Sequence, residues 1–253
     1  MTTTPKNTNH ELQIMKITQD RMMVAILGRT PLILNKLSNK VRMELLMPAG
    51  KKNAAAKAST LKHNPHEEFR NSAHTLPGGP TLLALPATAF KGAMRTAALD
   101  IPGATKSAIG RLVYVAGEYV PIYGVPQLHM TITRSADIKR TPDVRTRCII
   151  PNWAAYITVE FTTPLIKGPS ILNLLAAAGL SCGVGDWRVE KGSGSFGTFS
   201  PVGHDAAFDE IIKLGGREAQ VAAMASPEAY DSETQELLSW FDVEVDRRGF
   251  KVA

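Results

Sequence analysis

The sequence is poor in cysteine, poor in aromatics and lacks a long apolar run. Its two cysteines, Cys148 and Cys182, are too few for a disulfide framework or a thiolate zinc site, and they point to a reducing compartment. Aromatic residues make up only 6%. No apolar stretch is long enough to span a bilayer, which argues against a membrane partner and for a cytoplasmic location. The opening residues, MTTTPKNTNHE, have no apolar core of the kind a secretory signal needs. Catalytic signatures are missing too: no His-Glu-x-x-His, no Gly-x-x-x-x-Gly-Lys-Ser/Thr and no Gly-x-Ser-x-Gly. His66-Glu67-Glu68 lacks a second histidine at ligand spacing. No catalytic residue, metal or cofactor is therefore expected.

What is present is an ordinary core-forming composition, 44% hydrophobic over 253 residues, enough for one elaborated domain. Lys plus Arg is 29 against 23 acids, a net charge of +6 that favours a polyanionic partner.

Residues 1–12 read as a disordered polar arm. The apolar run 22–28 reads as a strand and 31–34 as a second short one; Ser38 would cap a helix with Val41, Leu45 and Leu46 on one face. Residues 48–79 hold few large apolar side chains and read as a mobile basic insertion. Residues 81–85 are extended, and Thr88 would cap a helix over 88–99. Strands are expected at 111–115, 119–123, 153–161 and 195–199, with a hairpin or long arm over 129–147. Ser170 would cap a helix over 170–180, and residues 204–253 hold two or three amphipathic helices, a C-terminal extension packed on the core. Stripped of insertions, the order is β-α-β-β-α-β, an α+β ferredoxin-like arrangement spanning 13–203, with one sheet face left free for a ligand.

Three clusters carry candidate binding residues. Lys91 and Arg95 lie four apart on the first core helix and share a face. The arm holds His129, Arg134, Lys139, Arg140, Arg145 and Arg147; arginine's planar fork pairs with phosphate and stacks on bases. The loop from Gly183 to Gly197 carries Arg188, Lys191, Gly192 and Gly194, where missing side chains let backbone N–H groups approach an anion. Gly192-Ser-Gly194-Ser-Phe-Gly197 fits a dinucleotide fingerprint in letters only, because Thr198-Phe-Ser-Pro201 cannot open the helix that fingerprint requires.

Taken in order, these pieces resemble the RAMP superfamily, in particular the backbone subunits of CRISPR ribonucleoprotein complexes. Leu85-Pro-Ala-Thr-Ala-Phe-Lys-Gly-Ala-Met-Arg-Thr96 is similar to the family's I-P-G-S-S-L-K-G-x-x-R, and Ile109-Gly-Arg-Leu-Val-Tyr114 to its G-R-L-x-F strand. The arm sits at the place of the family's thumb hairpin, the glycine-rich loop follows the second helix, and residues 48–79 occupy the place of a finger-like insertion. The resemblance implies an RRM-like fold that polymerises head-to-tail along single-stranded guide RNA, with Lys36, Lys91, Arg95, Arg111 and the glycine-rich loop near its backbone. It departs from the family at Ala87 and Thr88, where glycine and serine are usual. Some relatives cut target RNA with an aspartate after the first strand; residues 21–99 contain none, so that activity is not expected. Residues Gly28 to Lys36 also resemble phage-encoded proteins. Two alternatives stand beside the RNA reading: a protein of the same fold that coats or anneals single-stranded DNA, and a metal-free endoribonuclease using His129.

Overall fold

The computed structural model describes residues 14–47, 61–134, 141–191 and 194–249. The polar arm 1–12, the 48–60 part of the insertion, Lys139, Arg140 and Gly192 lie outside them.

The core sheet is built from β1 (Thr18–Gly28), β5 (Val113–Val115), β9 (Ala154–Thr163) and β10 (Phe199–Val202), in the order β10-β1-β9-β5 and antiparallel throughout. Two helices, α3 (Ala87–Ala97) and α5 (Gly168–Ser181), connect these strands, giving the ferredoxin-like, RRM-like β-α-β-β-α-β core. Alternation decides which face is buried. Val24 and Ile26 of β1 and Ile157, Val159 and Phe161 of β9 point to one side, at 5% exposure or less. Phe90, Ala93, Met94 and Ala97 form the matching stripe on α3, and Ile171, Leu174, Leu175 and Ala178 that on α5. The two helices close over one face of the sheet within a single hydrophobic cluster. Gly179 is required for this closure: a Cβ there would lie 2.1 Å from the Phe199 carbonyl oxygen of β10.

Two smaller sheets flank the core. One has the order β2-β8-β7, from β2 (Leu32–Leu34), β8 (Pro142–Ile150) and β7 (Gln127–Arg134). The β7–β8 pair is the expected hairpin, in a register that sets His129 opposite Arg147 and Thr131 opposite Arg145. The other has the order β3-β4-β6, from β3 (His74–Thr75), β4 (Leu83–Pro86) and β6 (Tyr119–Pro121). Buried Gln220 ties this sheet to the C-terminal helices: its side-chain oxygen accepts from the N–H groups of Leu82 and Leu83, and its amide donates to the carbonyls of Ile122 and Gly124.

The C-terminal segment forms α6 (Ala206–Leu214), α7 (Arg217–Ala225) and α8 (Ser232–Arg248). It covers the outer edge of β7: Leu128 N–H donates to the Glu228 carbonyl, Tyr230 N–H to the Leu128 carbonyl, and Met130 N–H to the Thr234 hydroxyl.

Several local expectations are corrected. Residues 61–79 are not an insertion: α2 (Pro65–Asn71), capped by Asn64, puts Phe69 at 0% exposure in the core, where truncation to alanine would cost about 3–5 kcal/mol. Arg111 lies not in a strand but in the last turn of α4 (Lys106–Leu112), because the Thr105 hydroxyl caps that helix by accepting from Ala108 N–H. Of the 119–123 run, Tyr119–Pro121 pairs with β4, and Tyr123 bridges Ala154 of β9. The last core strand starts at Phe199, later than expected. Pro86 and Lys167, without side-chain caps, precede α3 and α5, so neither Thr88 nor Ser170 is an N-cap. Ser38 does cap α1 (Asn39–Leu46), but Val41, Leu45 and Leu46 remain exposed.

Candidate nucleic-acid interface

The free face of the core sheet is corrected first, because it is not where the cations gather. It presents Met23, Tyr114, Tyr156 and Thr158, with Arg21 and Glu160 facing each other across β1 and β9 at 4.0 Å and the Lys91 ammonium over the Tyr114 ring at its edge. Part of it is covered, since Phe208 of α6 meets the Tyr156 ring edge-on at 5.1 Å between centroids.

The cations converge instead around the glycine-rich loop, in two grooves. The first, of about 450 Å³, lies between α3, the start of α4 and residues 184–190, with Arg95, Thr96, Lys106, His74, Arg188 and Glu190 on its walls. The second, of about 250 Å³, lies on the hairpin, with His129, Thr131 and Arg134 from β7, Arg145 and Arg147 from β8, and Trp187. Asn35 and Asp186 line both, so the grooves meet at that point. Six Lys or Arg side chains line the pair against two carboxylates, a surplus of four where the whole chain carries a net +6.

The cations differ in availability. Arg188 is committed: its Nε donates to Glu190 at 2.8 Å and an Nη to the Gly185 carbonyl at 3.1 Å. Glu190, held below the usual carboxylate range chiefly by Arg188, also accepts from the Thr96 hydroxyl, which ties the loop to α3. Arg147 is largely enclosed, 3.6 Å from Asp186, and burial lowers its basicity. Arg95, Arg134 and Arg145 are exposed and make no ion pair with a described acid. Gly110 lets the Arg95 side chain pass: a Cβ there would lie 2.9 Å from its Nε.

The loop owes its shape to close self-packing. Trp187 adopts φ 49°, a left-handed conformation uncommon for a non-glycine residue, and a Cβ on Gly194 would lie 1.7 Å from its carbonyl oxygen. The N–H groups of Val184, Asp186, Glu190, Phe196 and Gly197 all donate to carbonyls of the protein. These five N–H groups are therefore taken, while Gly192, part of the expected phosphate cradle, lies outside the described residues. Trp187 is its most exposed aromatic, at 36%.

Not every candidate reaches the grooves. Lys91 turns away from Arg95, its ammonium 4.0 Å from the centre of the Tyr114 ring. Lys36, Arg111 and Lys191 line neither groove. The His129 side chain is only 12% exposed, 3.5 Å from Asp231 and edge-on to Tyr230; burial lowers its pKa despite Asp231. His74 is likewise lowered, by burial first and then by Lys36 and Arg42. Asn35, His74, Lys106, Asp186 and Trp187 were not singled out from sequence. Of these, only Trp187, an aromatic between Asp186 and Arg188 in a turn-rich loop, carried a local signal.

Among the described residues no group of three His, Cys, Asp or Glu side chains is placed to hold a metal, and no helix is long and apolar enough to cross a membrane. Both cysteines are buried and unpaired.

No family model matches the chain, and no curated protein matches it. Solved structures are similar to it, two of them as follows. A chain of the cryo-EM structure of the Type III-B Cmr-beta bound to cognate target RNA is 14% identical, with a TM-score of 0.41 over 73% of this chain and 59% of that one. The crystal structure of Cmr6 from Pyrococcus furiosus is 9% identical, with a TM-score of 0.38 over 73% of this chain and 98% of that one.

Proposed function

We propose that the protein binds single-stranded RNA without cutting it, and that copies associate head-to-tail along a guide strand as part of a CRISPR-like ribonucleoprotein in the cytoplasm. The observation that carries the reading is the meeting of the two grooves at Asn35 and Asp186, with Arg95, Arg134 and Arg145 exposed along them and Trp187 at their junction. Exposed arginines neutralise phosphates, and an exposed indole stacks on a base of any identity. The motif resemblance at residues 85–96 favours RNA over DNA. A buried His129 held against Asp231 favours a positioning role over acid–base cleavage.

The test is a fluorescence-anisotropy titration with matched RNA and DNA oligomers, single- and double-stranded, repeated over a range of salt. Tighter binding of single-stranded RNA, weakening steeply with salt and leaving the RNA intact, is the expected result. Equal affinity for RNA and DNA would move the reading to the single-stranded DNA alternative. Absence of binding at low salt would end both.

A further inference from the structure

A phosphate backbone repels carboxylates, yet the two grooves hold a pair of them, Glu190 and Asp186. Glu190 is spent inside the protein, on the Arg188 guanidinium and the Thr96 hydroxyl. Asp186 is not. It stands where the grooves meet, its side chain 29% exposed. Its Oδ1 accepts from the Trp187 N–H at 3.1 Å, and its Oδ2 lies 3.6 Å from Arg147 Nε, beyond hydrogen-bond length. An ionised carboxylate accepts about four hydrogen bonds, so capacity remains. The residue is also fixed in place. Its own N–H donates to the Ile33 carbonyl of β2 at 2.9 Å. The preceding Gly185, at φ 85°, packs so closely that a Cβ would lie 2.5 Å from that same oxygen. Trp187 follows directly, and both residues line the hairpin groove of about 250 Å³.

We infer that Asp186 reads the identity of a base stacked on Trp187, and that the base is guanine. Phosphates take cations and the indole takes any base, so neither uses a carboxylate; a base N–H does. Unpaired bases present their Watson–Crick edges to side chains. Only guanine sets two donors side by side on that edge, the ring N1–H and the exocyclic N2 amino group, to meet both oxygens of a carboxylate. Adenine and cytosine offer one amino group there, and uracil one ring N–H. Guanine also carries the O6 acceptor next to N1, as the Arg147 guanidinium stands next to the Asp186 carboxylate. The protein thus sets a donor beside acceptors where guanine sets an acceptor beside donors. The inference rests on the RNA-binding reading above and adds base identity to it.

Fluorescence anisotropy on the full chain tests it, with short uridine oligomers whose central residue is guanosine, inosine, adenosine, cytidine or uridine. Wild type should bind the guanosine oligomer about tenfold more tightly than the adenosine, cytidine and uridine ones, the discrimination of one bidentate pair. Inosine lacks the N2 amino group and should fall between. Asp186→Asn keeps an oxygen to accept from the Trp187 N–H but removes the charge. It should lose the guanosine preference and bind the all-uridine oligomer at least as tightly as wild type, because a negative charge has left the path of the phosphates. Circular dichroism reads the fold of the variant, and the wild-type base series stands without it. A wild type indifferent to the central base, a preference for another base, or a guanosine preference that survives in Asp186→Asn would each overturn the proposal. So would an equal loss for every oligomer in that variant, the mark of a carboxylate that merely holds Arg147. RNA binding without base preference overturns this inference alone; no binding to any oligomer ends the RNA reading with it.

Discussion

The open face of the core sheet and the grooved face around the glycine-rich loop divide the surface chemistry between them. The sheet face has room, with Met23 and Tyr114 exposed, but Arg21 faces Glu160 and the Lys91 ammonium lies against the Tyr114 ring. The grooved face has less flat area but holds a surplus of four cations and the exposed Trp187. An RRM-like sheet is often taken as a stacking platform for RNA. Here the groove-lining cations lie at the flank, on α3, α4, the hairpin and the loop that follows α5. The two faces therefore make different predictions for where a strand would lie.

That contrast can be broken or sharpened by experiment, taking the largest effect first. Arg134→Ala combined with Arg145→Ala should weaken RNA binding about tenfold per arginine at low salt, as charge-assisted hydrogen bonds are worth about 1.5–3 kcal/mol each. The slope of log affinity against log salt should also fall by about two units in that titration. An unchanged slope would take the hairpin out of the interface. Trp187→Ala should remove a stacking contact worth about 1–3 kcal/mol, read as a drop in affinity that persists at high salt. A loss that vanishes with salt would mean the indole merely shapes the loop.

The pH dependence is smaller. His74 titrates below its ordinary value of 6.5 because burial, Lys36 and Arg42 disfavour its charged form. A phosphate in the first groove would oppose that shift, so binding takes up a proton and tightens as pH falls below 6.5. Wild-type affinity should rise about two- to fivefold between neutral and mildly acidic pH, and His74→Gln should flatten the profile. Stability runs the other way. The unfolded chain protonates first, so the stabilisation from neutral His74 and His129 is complete above 6.5 and erodes as pH falls through the lowered folded values, readable in a urea series. Smallest of all should be Tyr114→Ala or Met23→Ala on the sheet face, with RNA affinity within about twofold of wild type, as expected for surface changes away from a binding site. A tenfold loss there would restore the sheet as the platform.

The sequence made the β-α-β-β-α-β core legible because alternation in β9 and the i, i+4 apolar stripe of α3 are strong local signals. It failed where tertiary context overrode a local rule. Gly110 belongs to the Ile109–Tyr114 motif expected to be a strand, yet it sits inside α4, where the absence of a Cβ admits the Arg95 side chain. Residues 65–75 look too polar for a core, but a single Phe69 with buried Ser72 and Ala73 anchors them. In the candidate interface, Arg95, Arg134, Arg145, Arg147 and Arg188 stood out by type and clustering. That Arg188 would be spent on Glu190, or that Asn35, His74 and Lys106 would join the grooves, depends on segments distant in the chain and left no local trace.

Strand β7 would be an open edge but for the residues from Glu228 to Thr234, which take up the backbone groups of Leu128 and Met130. A shortened chain ending before Glu228 would present that row of donors and acceptors to any passing strand. The tail is thus a guard against runaway sheet growth, and its removal is expected to give aggregates rather than a smaller folded domain.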